Sequence, residues 1–97
     1  MIDQGIFKRL CRRIEEFRQD MIQLQTELTA IPALAPERGG DGEEFKARRL
    51  KECLRGWGFP SITELNAQDE RTSCGSRPNL IVRAGNPDAY RTVWIMS

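Results

Sequence analysis

Phe7, Leu10, Ile14, Phe17, Met21, Leu24 and Leu28 recur at alternating steps of three and four residues, and the positions between them hold mostly Arg, Lys, Glu and Gln. Only a helix places that spacing on one face, so the stripe predicts a long amphipathic helix over about residues 3–29. At 1.5 Å per residue it spans roughly 40 Å, at least the width of a compact domain of this chain length. Such a helix either projects or lies against a larger body.

The same period fits a coiled coil, with the seven residues as its a and d positions. Phe at two of them, Ile22 off the stripe, and Ile6, Cys11 and Gln25 on the flanks make a poor zipper. A helix laid on a sheet is the expected arrangement.

Pro32, Pro36 and the pair Gly39 and Gly40 end the helical pattern and predict a loop over residues 30–41. Asp41 as cap and Glu44 three residues later then read as a capping box opening a second helix, about 42–57. Ala47, Leu50, Cys53, Leu54 and Trp57 line its apolar face, and Gly56 and Gly58 supply the stop.

Strands are expected at about 61–65, 80–84 and 92–97, the last two forming a hairpin through a turn that Asn86 and Pro87 begin. Residues 66–79 are polar and turn-rich and predict a mobile loop. The fold class is therefore α/β, two N-terminal helices followed by about three strands. Residues 92–95 are β-branched or aromatic and Met96 is apolar, with almost no polar alternation, the composition of a strand buried on both faces. Its neighbours are expected outside these 97 residues, which makes the sheet incomplete.

Fifteen Lys and Arg against fourteen Asp and Glu give a net charge of +1, so charge alone implies neither a nucleic-acid nor a membrane partner. No apolar run approaches the roughly 18 residues of a membrane span, and the amino terminus lacks the apolar centre of a signal peptide. A cytoplasmic protein is expected. Cys11, Cys53 and Cys74 form no C-x-x-C pair and read as reduced thiols. The chain contains no histidine, which removes the commonest general base and the commonest catalytic zinc ligand.

Four groups of residues suggest chemistry, and each has a plainer reading that carries more weight. Gly39, Gly40 and Gly42 precede a helix as a phosphate loop would, but no strand leads in, no Lys-Ser/Thr pair follows, and Asp41, Glu43 and Glu44 repel phosphate. A turn with a helix cap is expected. Those carboxylates lack the twelve-residue ligand alternation of a calcium loop. Cys74 has no histidine base to make it a nucleophile. Lys8, Arg9, Arg12 and Arg13, with Lys46, Arg48, Arg49 and Lys51, make two basic helix faces, but Glu15, Glu16, Glu43, Glu44 and Glu52 interleave and no aromatic platform accompanies them. Solvated helix faces are expected, and no residue is assigned a catalytic, cofactor-binding or metal role.

From Leu28 onward the pieces "ELTAIPALAPERGGDGE", a helix ending in "GWGF", "RPNLIVRAGN" and "RTVWIMS" stand in a fixed order over about 70 residues. In that order they resemble the beginning of the zinc-dependent amidohydrolase and exopeptidase family of acetylornithine deacetylase, succinyl-diaminopimelate desuccinylase, carboxypeptidase G and aminoacylase. The resemblance implies that residues 1–97 are the N-terminal portion of a larger mixed-sheet catalytic domain. It implies that a strand like residues 92–97 leads into a His-x-Asp segment carrying the first zinc ligand and a ligand that bridges two zinc ions. Such a pair, about 3.5 Å apart, polarises a scissile carbonyl and activates water, and a later carboxylate takes the proton. The family hydrolyses N-acyl amino acids or peptides. None of its functional residues falls on a position of this sequence, so the zinc is expected of a longer chain and this portion is expected to be inactive alone. Two routes to self-association are open, an unpaired strand edge and the first helix.

Overall fold

A computed structural model describes residues 2–97, and the chain is α/β, with helices preceding antiparallel strands. It divides into two compact units, Met1–Pro32 and Ala33–Ser97. The first unit holds α1 (Gln4–Glu16) and α2 (Arg18–Ala30). Asp3 caps α1, its carboxylate accepting the Ile6 N–H at 3.0 Å.

The uninterrupted helix expected over residues 3–29 is broken at Phe17. That residue adopts φ −88° and ψ 2°, and its N–H reaches back to the Ile14 carbonyl at 3.1 Å, a three-residue step in a four-residue ladder. The Arg13 guanidinium, paired with Glu16 at 2.7 Å, stands 4.6 Å from the centre of the Phe17 ring. The stripe's side chains are open: Phe7, Leu10, Ile14, Phe17 and Met21 are all exposed, and Leu24 and Leu28 half-exposed.

The second unit opens on a loop with a short 3-10 turn at Pro36–Arg38, followed by α3 (Glu44–Gly56). Gly58, at φ +88°, ends α3: its N–H bonds the Arg55 carbonyl and that of Phe59 the Leu54 carbonyl, a Schellman closure. Ala47, Leu50, Cys53 and Leu54 are half-buried on the expected face, whereas Trp57 is exposed because it is the cap residue beyond the last turn.

Four strands follow, β1 (Ser61–Glu64), β2 (Ala67–Gln68), β3 (Ser76–Arg77) and β4 (Leu80–Arg83). β1 pairs with β4 and β2 with β3, both antiparallel. Ser61 faces Arg83 and Gln68 faces Ser76, so the two ladders share one register and form a single long hairpin. The ladder lapses where Asn66 stands opposite Pro78, a residue with no N–H to give. Asn79 bridges the lapse by donating its side-chain amide to the Leu65 carbonyl at 3.0 Å and its N–H to the Asn66 side-chain oxygen at 3.3 Å.

Residues 66–79, expected as a mobile loop, are thus the outer half of this hairpin. The hairpin expected between 80–84 and 92–97 is absent among the described residues: β4 pairs with β1, and residues 92–97 form no strand. Asn86 and Pro87 do open a turn, closed by the Ala89 N–H on the Asn86 carbonyl at 3.1 Å. Residues 92–97 lie in neither ladder, and Val93, Ile95 and Met96 are 86%, 91% and 90% exposed. Among the described residues no apolar side chain is fully buried. In the inner half of the hairpin Ile62 faces Val82, both half-buried, and Ile81 beside them is half-buried opposite the exposed Thr63.

Candidate functional site

The polar side chains of the second unit converge where the loop before α3 meets the hairpin tip. Sequence makes both partners turn: Gly39 and Gly42 take φ +81° and +83° in the loop, and Gly75 takes +77° at the tip. The loop closes on itself through Gly40 N–H to the Ala35 carbonyl at 3.1 Å and Gly42 N–H to the Leu34 carbonyl at 2.9 Å. These amides are therefore committed inward and do not form a phosphate cradle.

Asp41 does not cap α3, whose cap residue is Glu43 without a side-chain bond. Its carboxylate instead accepts the Ser73 N–H at 2.7 Å, tying loop to tip across 32 residues. Glu43 accepts the Arg77 Nε at 2.8 Å and, through its other oxygen, the Nη2, a two-point fork. Arg71 binds Asp69 through Nε at 2.9 Å and Nη2 at 2.8 Å, and the same Nη2 lies 2.9 Å from Glu37. Arg77 Nη1 is 3.5 Å from Asp69, which closes the network, and the Asp69 side chain is only 9% exposed.

Three carboxylates around two guanidinium groups have predictable electrostatics. Arg71 above all holds Asp69 far below the usual carboxylate range, and Arg77 lowers Glu43 in the same way. A bond to its own backbone, then Arg71, lowers Glu37. Both arginines are raised in turn, Arg71 chiefly by Asp69 and Arg77 chiefly by Glu43. Thr72 sits beneath the network, 5% exposed, with its hydroxyl 2.9 Å from the Asp69 carbonyl and 3.2 Å from that of Ser76.

Beside this clamp is an open depression of about 320 Å³ between α3 and the hairpin. Lys51 spans it to Glu64 at 2.7 Å and lowers that carboxyl. Arg48 pairs with Glu44 at 2.6 Å and Arg49 with Glu52 at 3.2 Å. The basic face read on the second helix is thus laced with acidic partners. Cys74 lines the depression, exposed, its thiol donating to the Ser76 carbonyl at 3.2 Å. Lys8, Arg9, Arg12 and Arg13 belong to α1, in the Met1–Pro32 unit.

The charged groups of the clamp pair with one another and with backbone amides, so the arrangement fixes the backbone of loop and tip. Glu37, Asp69, Arg71 and Arg77 were not legible as a group, since only the Asp69–Arg71 fork is local and the other contacts join residues distant in sequence or across the hairpin tip. Among the described residues no three of His, Cys, Asp and Glu gather to hold a metal ion, and no helix is long and apolar enough to cross a membrane. No protein-family model, curated protein or solved structure matches the chain.

Proposed function

We propose that this chain is the N-terminal portion of a zinc-dependent amidohydrolase or exopeptidase that acts on N-acyl amino acids or peptides, and that it supplies framework and not chemistry. The order of "ELTAIPALAPERGGDGE", "GWGF", "RPNLIVRAGN" and "RTVWIMS" motivates the reading. The single observation that supports it best is the state of residues 92–97: a run of inner-strand composition, nearly bare to water and in no ladder, has the surface of a strand awaiting neighbours. An open α/β sheet places its ligands at the carboxyl ends of its strands, where this run would point.

The two zinc ions of that family do not fit the residues present, which include no histidine and no gathering of three acidic or thiol ligands among the described residues. Their holders belong to a segment following Ser97 in this reading. The coding sequence beyond Ser97 is the direct test: an in-frame His-x-Asp is expected, and the extended product with zinc should release amino acid from N-acyl amino acids. A continuation without metal ligands would sink the proposal. So would calorimetry on the 97-residue chain showing tight, stoichiometric zinc binding.

A further inference from the structure

α1 and α2, which meet at the break at Phe17, carry an apolar stripe that stays exposed from Phe7 to Met21, and each 13-residue helix is marginal in water without packing. Its heptad positions run a at Phe7, Ile14, Met21 and Leu28 and d at Leu10, Phe17 and Leu24. We propose that residues 4–30 pair with the same residues of a second copy, antiparallel, about a two-fold axis between Ile14 and Phe17.

In that orientation a and d residues of the two copies meet from Phe7 to Leu24, Phe7 with Leu24, Leu10 with Met21 and Ile14 with Phe17, while Leu28 falls beyond the last layer, opposite Asp3. All six layers are apolar. Charge selects the direction. Antiparallel pairing sets Arg13 of each copy, a g position, beside Asp20 of the other, whereas parallel pairing sets Arg13 beside Arg18. It also lays net-basic α1, with Lys8, Arg9, Arg12 and Arg13, along net-acidic α2, with Asp20 and Glu27. Ile6, Cys11 and Gln25 weaken the flanks and leave Arg13 and Asp20 to set orientation. Two helices of this length in contact along the whole stripe bury on the order of 1,500 Å², the area of a stable, specific interface.

The pairing does not rest on the hydrolase reading, which zinc and the downstream sequence test separately. Sedimentation of the full chain at about 100 µM should give the mass of two copies. Asp20→Arg should weaken association about tenfold, and Arg13→Asp added to it should restore affinity to within about threefold, with helix content by circular dichroism unchanged. Orientation is read by Arg18→Cys in a Cys53→Ser, Cys74→Ser background. Mild oxidation should join Cys11 of one copy to the introduced thiol at position 18 of the other, adjacent only when the helices run oppositely. A monomer at that concentration, or crosslinks only between like positions, would overturn the proposal.

Discussion

In the Ala33–Ser97 unit, polar groups find one another across more than thirty residues of chain, while in the Met1–Pro32 unit apolar groups spaced three and four apart stay open to water. The clamp is specific without a core: Asp41, Glu43 and Glu37 meet Ser73, Arg77 and Arg71, and the one buried side chain beneath them is a threonine. The stripe has the reverse character, ample apolar area and no partner that fixes its geometry. Directional contacts define shape where burial is thin, and non-directional surface defines only an appetite for association.

That contrast can be broken most severely at Gly40. A methyl there would strike the Leu34 carbonyl, which is backbone and cannot swing aside, so Gly40→Ala should destabilise the loop by about 2–3 kcal/mol in denaturant unfolding. An unchanged midpoint would show that the loop closure contributes nothing. Gly42→Ala adds a Cβ at positive φ and 3.1 Å from the Thr72 methyl, for a cost of about 1–2 kcal/mol. Thr72→Val keeps the shape but removes the hydroxyl, which should cost about 1 kcal/mol and speed hydrogen exchange at the hairpin tip.

Acid should loosen the same region in a graded way. Glu43, Asp69 and Glu37 all lie below their ordinary values in the folded chain, so their contribution is complete above about pH 5 and is lost as pH falls through the native values. Protection of the Ser73 and Asp69 amides, taken relative to the intrinsic exchange rate at each pH, should therefore fall below about pH 4, and protection that does not change with pH would deny the clamp its role. The smallest effect belongs to the stripe. Leu10→Ala should change the unfolding of the Ala33–Ser97 unit by less than about 0.5 kcal/mol, and a larger shift would erase the distinction between the two regions.

What sequence reveals here follows the range of the interactions. The amphipathic stripe, the glycine stop of α3 and the Asn86–Pro87 turn are local, and each was legible from residues within one or two turns of one another. Asp41 and Glu44 look like a capping box for the same local reason. The structure sends Asp41 to Ser73 instead, a partner 32 residues away that no local pattern announces. Residues 66–79 look like a loop because Pro78, Gly75 and Asn79 are turn formers; here they serve a hairpin whose register appears only when residue 61 is set against 83. The break at Phe17 is equally silent in a stripe whose period runs through it. Clamp residues were invisible as a site because a guanidinium and a carboxylate 34 positions apart become a pair only after the strands align.

The lapse at Pro78 gives the hairpin a means of proofreading its alignment. Slippage by a single residue would turn Arg77 to the opposite face of the strand and set Pro78 against a neighbour unable to replace the Asn66 side-chain oxygen that receives the Asn79 amide. Misaligned forms would thus lose the fork and the bridge together, and so only one alignment of this short, thinly covered ribbon keeps all its polar bonds.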